Sequence, residues 1–160
     1  MSQQVTRLDD CQYLLVTQSN DTLTSFADHR EKFSHDAVNR SLRGEKIPPR
    51  LLWEQGRGQV VATPSGSVVF DDTVLDKNAS FAMELVRSQY SGNAKAVIKG
   101  IGVVTCVYVH PETEQFWLID YRLYDPAGDG KSKLEHVREM LSTVVYQKEL
   151  PFHAVLMDTW

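Results

Sequence analysis

Two stretches constrain this chain more than any other. Ser67-Val-Val-Phe-Asp-Asp-Thr-Val-Leu75 and Phe152-His-Ala-Val-Leu-Met-Asp-Thr-Trp160 each carry an apolar run into Asp-Thr. Runs of this length, rich in β-branched and aromatic residues, read as buried strands, which must have neighbours to satisfy their backbone. If the two lie side by side and parallel, about 4.8 Å apart, Asp72 and Asp158 project close to one another. Two ionised carboxylates so placed repel unless a cation lies between them. Oxygen donors of this kind suit Mg²⁺ or Mn²⁺. The plainer alternative is a pair of aspartates in turns at strand ends.

A parallel return needs a long crossover. Residues 133–150 supply one, because Leu134, Val137, Met140, Leu141, Val144 and Val145 form an apolar stripe at helical spacing. Pro151 closes that helix. Before it, 101–109 and 115–124 read as a strand pair joined by the loop His110-Pro-Glu-Thr-Glu114. Residues 59–63 also read as a strand, ending at the turn Pro64-Ser-Gly66. Residues 76–99 are polar and read as a loop with one short apolar piece.

Residues 7–56 read as helical. Leu8, Cys11, Leu14 and Leu15 share a face, Asp21-Thr22 can cap a second helix, and Ser34 can cap a third that ends at Gly44. Pro48 or Pro49 can start a last helix holding Leu51, Leu52 and Trp53. The segment 30–57 has seven basic residues against four acidic ones, a local excess of three in a chain of net charge −4. Arg40, Arg43, Lys46 and Arg50 belong to this basic segment, and the short helices bearing Arg40 and Arg43 could read DNA as a helix-turn-helix or form a solvated basic face. The expected organisation is a helical region over 1–57 and an α/β domain over 58–160.

The remaining features exclude more than they suggest. At 42% hydrophobic and 24% charged residues, the composition suits a soluble globular protein. No leader peptide is read at the polar start, and no apolar run nears the roughly 18 residues of a membrane span. The two cysteines, Cys11 and Cys106, could pair, but reduced thiols are the expectation. Gly128-Asp-Gly-Lys-Ser132 has the wrong glycine spacing for a phosphate loop and reads as a turn. His110, His136 and His153 lack metal-ligand spacing, and His153 is expected to be hydrogen-bonded on a buried strand. Trp53 and Trp117 read as core. Asp120, two residues before Arg122, shares a strand face with it and is expected to pair with it.

Four stretches in order carry a resemblance: Val69-Phe-Asp-Asp-Thr-Val-Leu-Asp-Lys77, Ile98-Lys-Gly-Ile-Gly-Val-Val104, Trp117-Leu-Ile-Asp-Tyr-Arg-Leu-Tyr124 and Val155-Leu-Met-Asp-Thr-Trp160. Together they resemble the N-terminal portion of bacterial insertion-sequence transposases of the DDE superfamily. The resemblance implies a helical N-terminal region followed by part of an RNase H-like mixed sheet with a crossover helix. It implies Mg²⁺- or Mn²⁺-dependent cleavage and joining of DNA at transposon ends, with no side-chain nucleophile. Asp72 matches the first catalytic and metal-binding aspartate and Asp158 the second. Asp71, on the opposite side of the strand, is the alternative to Asp72. The family's third acidic residue, a glutamate on a later helix, has no match before Trp160; Glu135 and Glu139 precede Asp158 and do not replace it. The expectation is a chain truncated before that glutamate and inactive alone, or a non-catalytic DNA-binding or regulatory fragment. It further implies a cytoplasmic, nucleoid-associated protein that binds DNA, has no membrane partner and tends to self-associate through its uncovered sheet.

Overall fold

The computed structural model describes residues 6, 12, 13, 26, 34–44, 46–78 and 83–158. The chain divides into two compact units, Met1–Ile47 and Pro48–Trp160. In the first, helix α1 spans His35–Gly44. Ser34 Oγ accepts from the Ala37 N–H at 3.2 Å, so the expected cap is in place. Val38 is buried with Tyr13 and Phe26, whose rings lie 5.0 Å apart. Most of the helices expected before residue 34, and Cys11, lie outside the described residues. The first helix of the helix-turn-helix reading lies there too, while the second, which bears Arg40 and Arg43, is α1.

The second unit begins with helix α2, Pro49–Gly56, preceded by Pro48 as N-cap. Proline fits a first helical position because its missing N–H would have no helical partner there. Trp53 of α2 packs on the core of the sheet. Helix α2 thus groups with the α/β unit, and the division between units falls ten residues before the expected 57/58.

The sheet has five strands: β1 Ser67–Asp76, β2 Arg87–Ser91, β3 Ala96–Val109, β4 Phe116–Tyr124 and β5 Ala154–Met157. Helix α3, Lys133–Tyr146, lies between β4 and β5 in sequence. Strand β3 is central. It pairs antiparallel with β1 along one edge, from Ser67↔Val109 to Asp76↔Gly100. Its other edge is shared end to end by β4, up to Gly102↔Tyr124, and β2, from Arg87↔Gly100. Beyond β1 lies β5, paired parallel from Ser67↔Ala154 to Phe70↔Met157. The expected parallel neighbours are therefore adjacent, with α3 as crossover.

Alternation sorts the two faces. Val68 and Phe70 of β1, with Val104, Cys106 and Tyr108 of β3, face Val137, Met140 and Val144 of α3 in one core. The opposite face carries Val69, Val107 and Leu118, which are half-buried or exposed. A bulge between Cys106 and Val107 gives β4 one extra residue, Ile119, which joins the core.

Three expectations need correction. Residues 59–63 do not form a strand: a 3₁₀ turn at Arg57–Gln59 precedes an irregular segment. There the Thr63 N–H donates to the Tyr108 hydroxyl at 2.9 Å, so a side chain substitutes for a ladder partner. That hydroxyl lies 2.8 Å from both Thr63 O and Pro151 O and donates its proton to one of them. Its approach requires Gly66, since a Cβ there would sit 2.1 Å from the hydroxyl oxygen. Second, residues 76–99 are not all loop. They contain β2 and the start of β3, turned tightly at 92–95 with Lys95 in the left-handed region at φ 49°. The polar composition of Arg-Ser-Gln-Tyr-Ser conceals a strand because it lies at the margin of the sheet. Third, His153 is exposed and precedes β5, although its N–H and Nδ1 both lie 2.9 Å from Gly66 O.

Helix α3 ends at Tyr146 rather than 150, and Glu149 then takes a positive φ of 51°. Among the described residues no helix is long and apolar enough to cross a membrane.

Candidate metal centre

Strand β1 outruns its parallel neighbour. Pairing with β5 ends at Phe70↔Met157, whereas β1 continues to Asp76. From Asp71 onward one edge of β1 is left beside the end of β5. A cavity of about 320 Å³ opens there, lined by Asp71, Asp72, Thr73 and Asp158 together with the β2–β3 turn at Ser91, Gly92 and Asn93. The two predicted ligands, Asp72 and Asp158, thus share one open cleft with the alternative, Asp71.

The aspartates differ in their surroundings. Asp72 follows Phe70 on the α3 side of the sheet, where its carboxylate forms an ion pair with Lys133 Nζ. Lys133 opens α3 and also lies over the Tyr124 ring, 5.4 Å from its centroid. Asp71 points to the other face, where its carboxylate accepts from Thr73 Oγ1 at 3.3 Å. Lys133 is the site residue that the sequence reading missed. It is 61 positions from Asp72, and only the packing of α3 against the sheet joins them.

The fixed position of Lys133 has a local cause. Ser132 caps α3, its side chain accepting from the Glu135 N–H at 3.2 Å, while the Glu135 carboxylate accepts from the Ser132 N–H at 2.7 Å. The Ser132 N–H and then its hydroxyl, which also donates to the carboxylate at 2.7 Å, hold the Glu135 carboxyl below the usual carboxylate range. Glu139 pairs with Lys131 at 2.6 Å. Both helix glutamates are therefore engaged outside the cleft, and Gly128–Ser132 serves as the turn and cap of α3.

Carboxylate oxygens suit a hard divalent ion, and Asp72 of β1 and Asp158, which follows β5, border one solvent-open space, with Asp71 turned to the other face. Among the described residues, however, no group of three or more His, Cys, Asp or Glu side chains converges as a ready metal cage. Asp72 would have to exchange its lysine for the ion.

The predicted basic residues divide between the two units. Arg40 and Arg43 are exposed on α1, and Lys46 is exposed after it. Arg50 belongs to α2 and pairs with Glu54 at 2.6 Å. Asp120 is buried and pairs with Arg122, as expected, and also with Lys148 at 3.3 Å. Burial, then the nearby Asp120 carboxylate, pushes the Cys106 thiol up to about 12, so it remains protonated and a poor nucleophile at neutral pH. Comparison with family models, curated proteins and solved structures finds no match for this chain.

Proposed function

We propose that the Pro48–Trp160 unit is part of an RNase H-like, DDE-type transposase domain that cleaves and joins DNA with divalent metal. One observation carries the reading: Asp72, just past the point where β1 loses its parallel partner, and Asp158, directly after that partner, line one open cleft beside an antiparallel β1–β3–β4 array and a crossover helix. Together with the four sequence stretches quoted above, this arrangement favours phosphodiester chemistry over a structural role for the carboxylates.

Asp72 and Asp158 would hold Mg²⁺ or Mn²⁺, which supplies Lewis acidity to the phosphodiester. The chain itself contributes negative charge on a rigid strand and an open side by which DNA can approach. Lys133 balances Asp72 while no cation is bound and is free to turn towards a phosphate when one is. No cysteine, serine or lysine nucleophile is needed.

The test is Mn²⁺ binding to the full chain, followed by electron paramagnetic resonance. Asp72→Asn and Asp158→Asn should each weaken binding at least tenfold. Equal binding by wild type and both variants would remove the metal assignment. If a short DNA duplex is cleaved at all, that cleavage should need Mg²⁺ and vanish in the same variants; no cleavage by the chain alone fits the expected lack of the third acidic residue.

A second reading, a DNA-binding fragment that does not cut, is favoured by the Asp72–Lys133 pair and by the exposed Arg40 and Arg43. It expects salt-dependent DNA binding that falls in Arg40→Ala and Arg43→Ala without any Mn²⁺ requirement.

A further inference from the structure

A second cavity, of about 570 Å³, is bounded by α2, β4 and the C-terminal end of α3. Its volume is that of a small-molecule site. Its walls carry Arg50, Arg57, Arg122 and Lys148 against Glu54 and Asp120, a formal excess of two positive charges. Part of that excess is deep. The Lys148 side chain is 5% exposed and the Asp120 side chain 2%. Asp120 Oδ1 already accepts from Arg122 and from the Tyr121 N–H, and Oδ2 takes the Lys148 ammonium. One carboxylate thus serves two cations, leaving a net positive charge where desolvation makes it costly.

The ammonium has three donors and Asp120 accepts one of them. The Trp53 ring, 5.3 Å away, covers another side of the ammonium with a π face rather than an acceptor. At the rim, Arg50 is neutralised by Glu54, while Arg57 makes no ion pair among the described residues. A buried ammonium, a second guanidinium beside it and an uncommitted one at the mouth together match a dianion better than a single carboxylate.

We propose that this cavity binds a phosphate group. The assignment does not rest on the metal centre, which uses none of these residues. The experiment is calorimetric titration of the full chain with inorganic pyrophosphate, at low salt and without divalent metal. Saturable one-to-one binding is expected, weakened at least fivefold in Arg57→Gln, whose lack of an ion pair leaves folding unaffected. Lys148→Met should abolish it; because that variant also breaks the Asp120 cluster, Arg57→Gln carries the test. Binding by Asp72→Asn should equal wild type. Absence of saturable binding, or equal affinity in Arg57→Gln, overturns the proposal. Two further arms identify the source of the phosphate. Displacement of pyrophosphate by a short DNA duplex, with a matching Arg57→Gln effect, supports a polynucleotide phosphate. Displacement by a nucleoside monophosphate alone supports a free nucleotide.

Discussion

Asp72 and Asp120 lie on the same face of one sheet, and each is paired with a lysine from an end of the crossover helix. Lys133 opens α3 and Lys148 follows it. The difference is solvent. The Asp72 and Lys133 side chains are 22% and 20% exposed beside an open cleft, whereas the Asp120 and Lys148 side chains are 2% and 5% exposed. A pair at the edge of open solvent keeps part of its hydration and exchanges partners more readily than a fully buried one. A buried one is costly to assemble and more costly to break. The same chemical pairing therefore suits a replaceable counter-ion at one place and a fixed strut at the other.

The sharpest way to break this contrast is Asp120→Ala. It leaves Lys148 and Arg122 facing each other without their carboxylate and should cost roughly 3–5 kcal/mol, a large part of the roughly 5–15 kcal/mol of a typical domain. Urea denaturation reads this directly, and a loss below about 1 kcal/mol would place Asp120 in the same class as Asp72. Ser132→Ala removes the cap that positions Lys133 and should cost about 1 kcal/mol. It should also flatten the acid side of the stability profile. The depressed Glu135 carboxyl contributes stability above the usual carboxylate range, and that contribution is lost as pH falls through its folded value. Asp72→Asn should cost less stability than Asp120→Ala, because its pair borders solvent, while weakening Mn²⁺ binding at least tenfold, a separation that Asp120 variants cannot show.

The effect of Cys106 is silent at neutral pH and shows only in the alkaline range. Its folded value near 12 lies above the ordinary 9.0, so its contribution is complete below pH 9 and declines as pH rises from 9 towards 12. The alkaline decline in stability should be shallower in Cys106→Ala than in wild type.

The two parallel strands were legible because Val68–Phe70 and Ala154–Met157 are unbroken apolar runs; the expected burial holds for β1 at Val68 and Phe70 but not for β5, whose Val155, Leu156 and Met157 are exposed because it is the last strand on that side. The crossover helix was legible from its stripe, and its start from Ser132 and Glu135. Strand β2 was not, because a marginal strand of Arg, Ser, Gln and Tyr has no apolar alternation to reveal it. Residues 59–63 misled in the opposite direction: Val60 and Val61 look like strand residues, but Tyr108 takes the backbone bonds that a strand would need. The sequence also placed Asp72 and Asp158 in one cleft and Asp120 beside Arg122. It could not indicate Lys133 or Lys148 as their partners, since those pairings span 61 and 28 residues and arise only when α3 packs on the sheet.

The Tyr108 hydroxyl has a wider consequence. It touches Thr63 ahead of β1 and Pro151 ahead of β5, while Gly66 O takes both His153 bonds. These clasps lie at the entry of the two strands, and the aspartates lie just beyond the last β1–β5 pair, Phe70↔Met157. Because strand side chains alternate at every residue, a slip of one position at the entry would turn Asp158 away from the cleft. The spacing of the carboxylates is thus set like the jaws of a caliper, by a screw at the far end of the instrument.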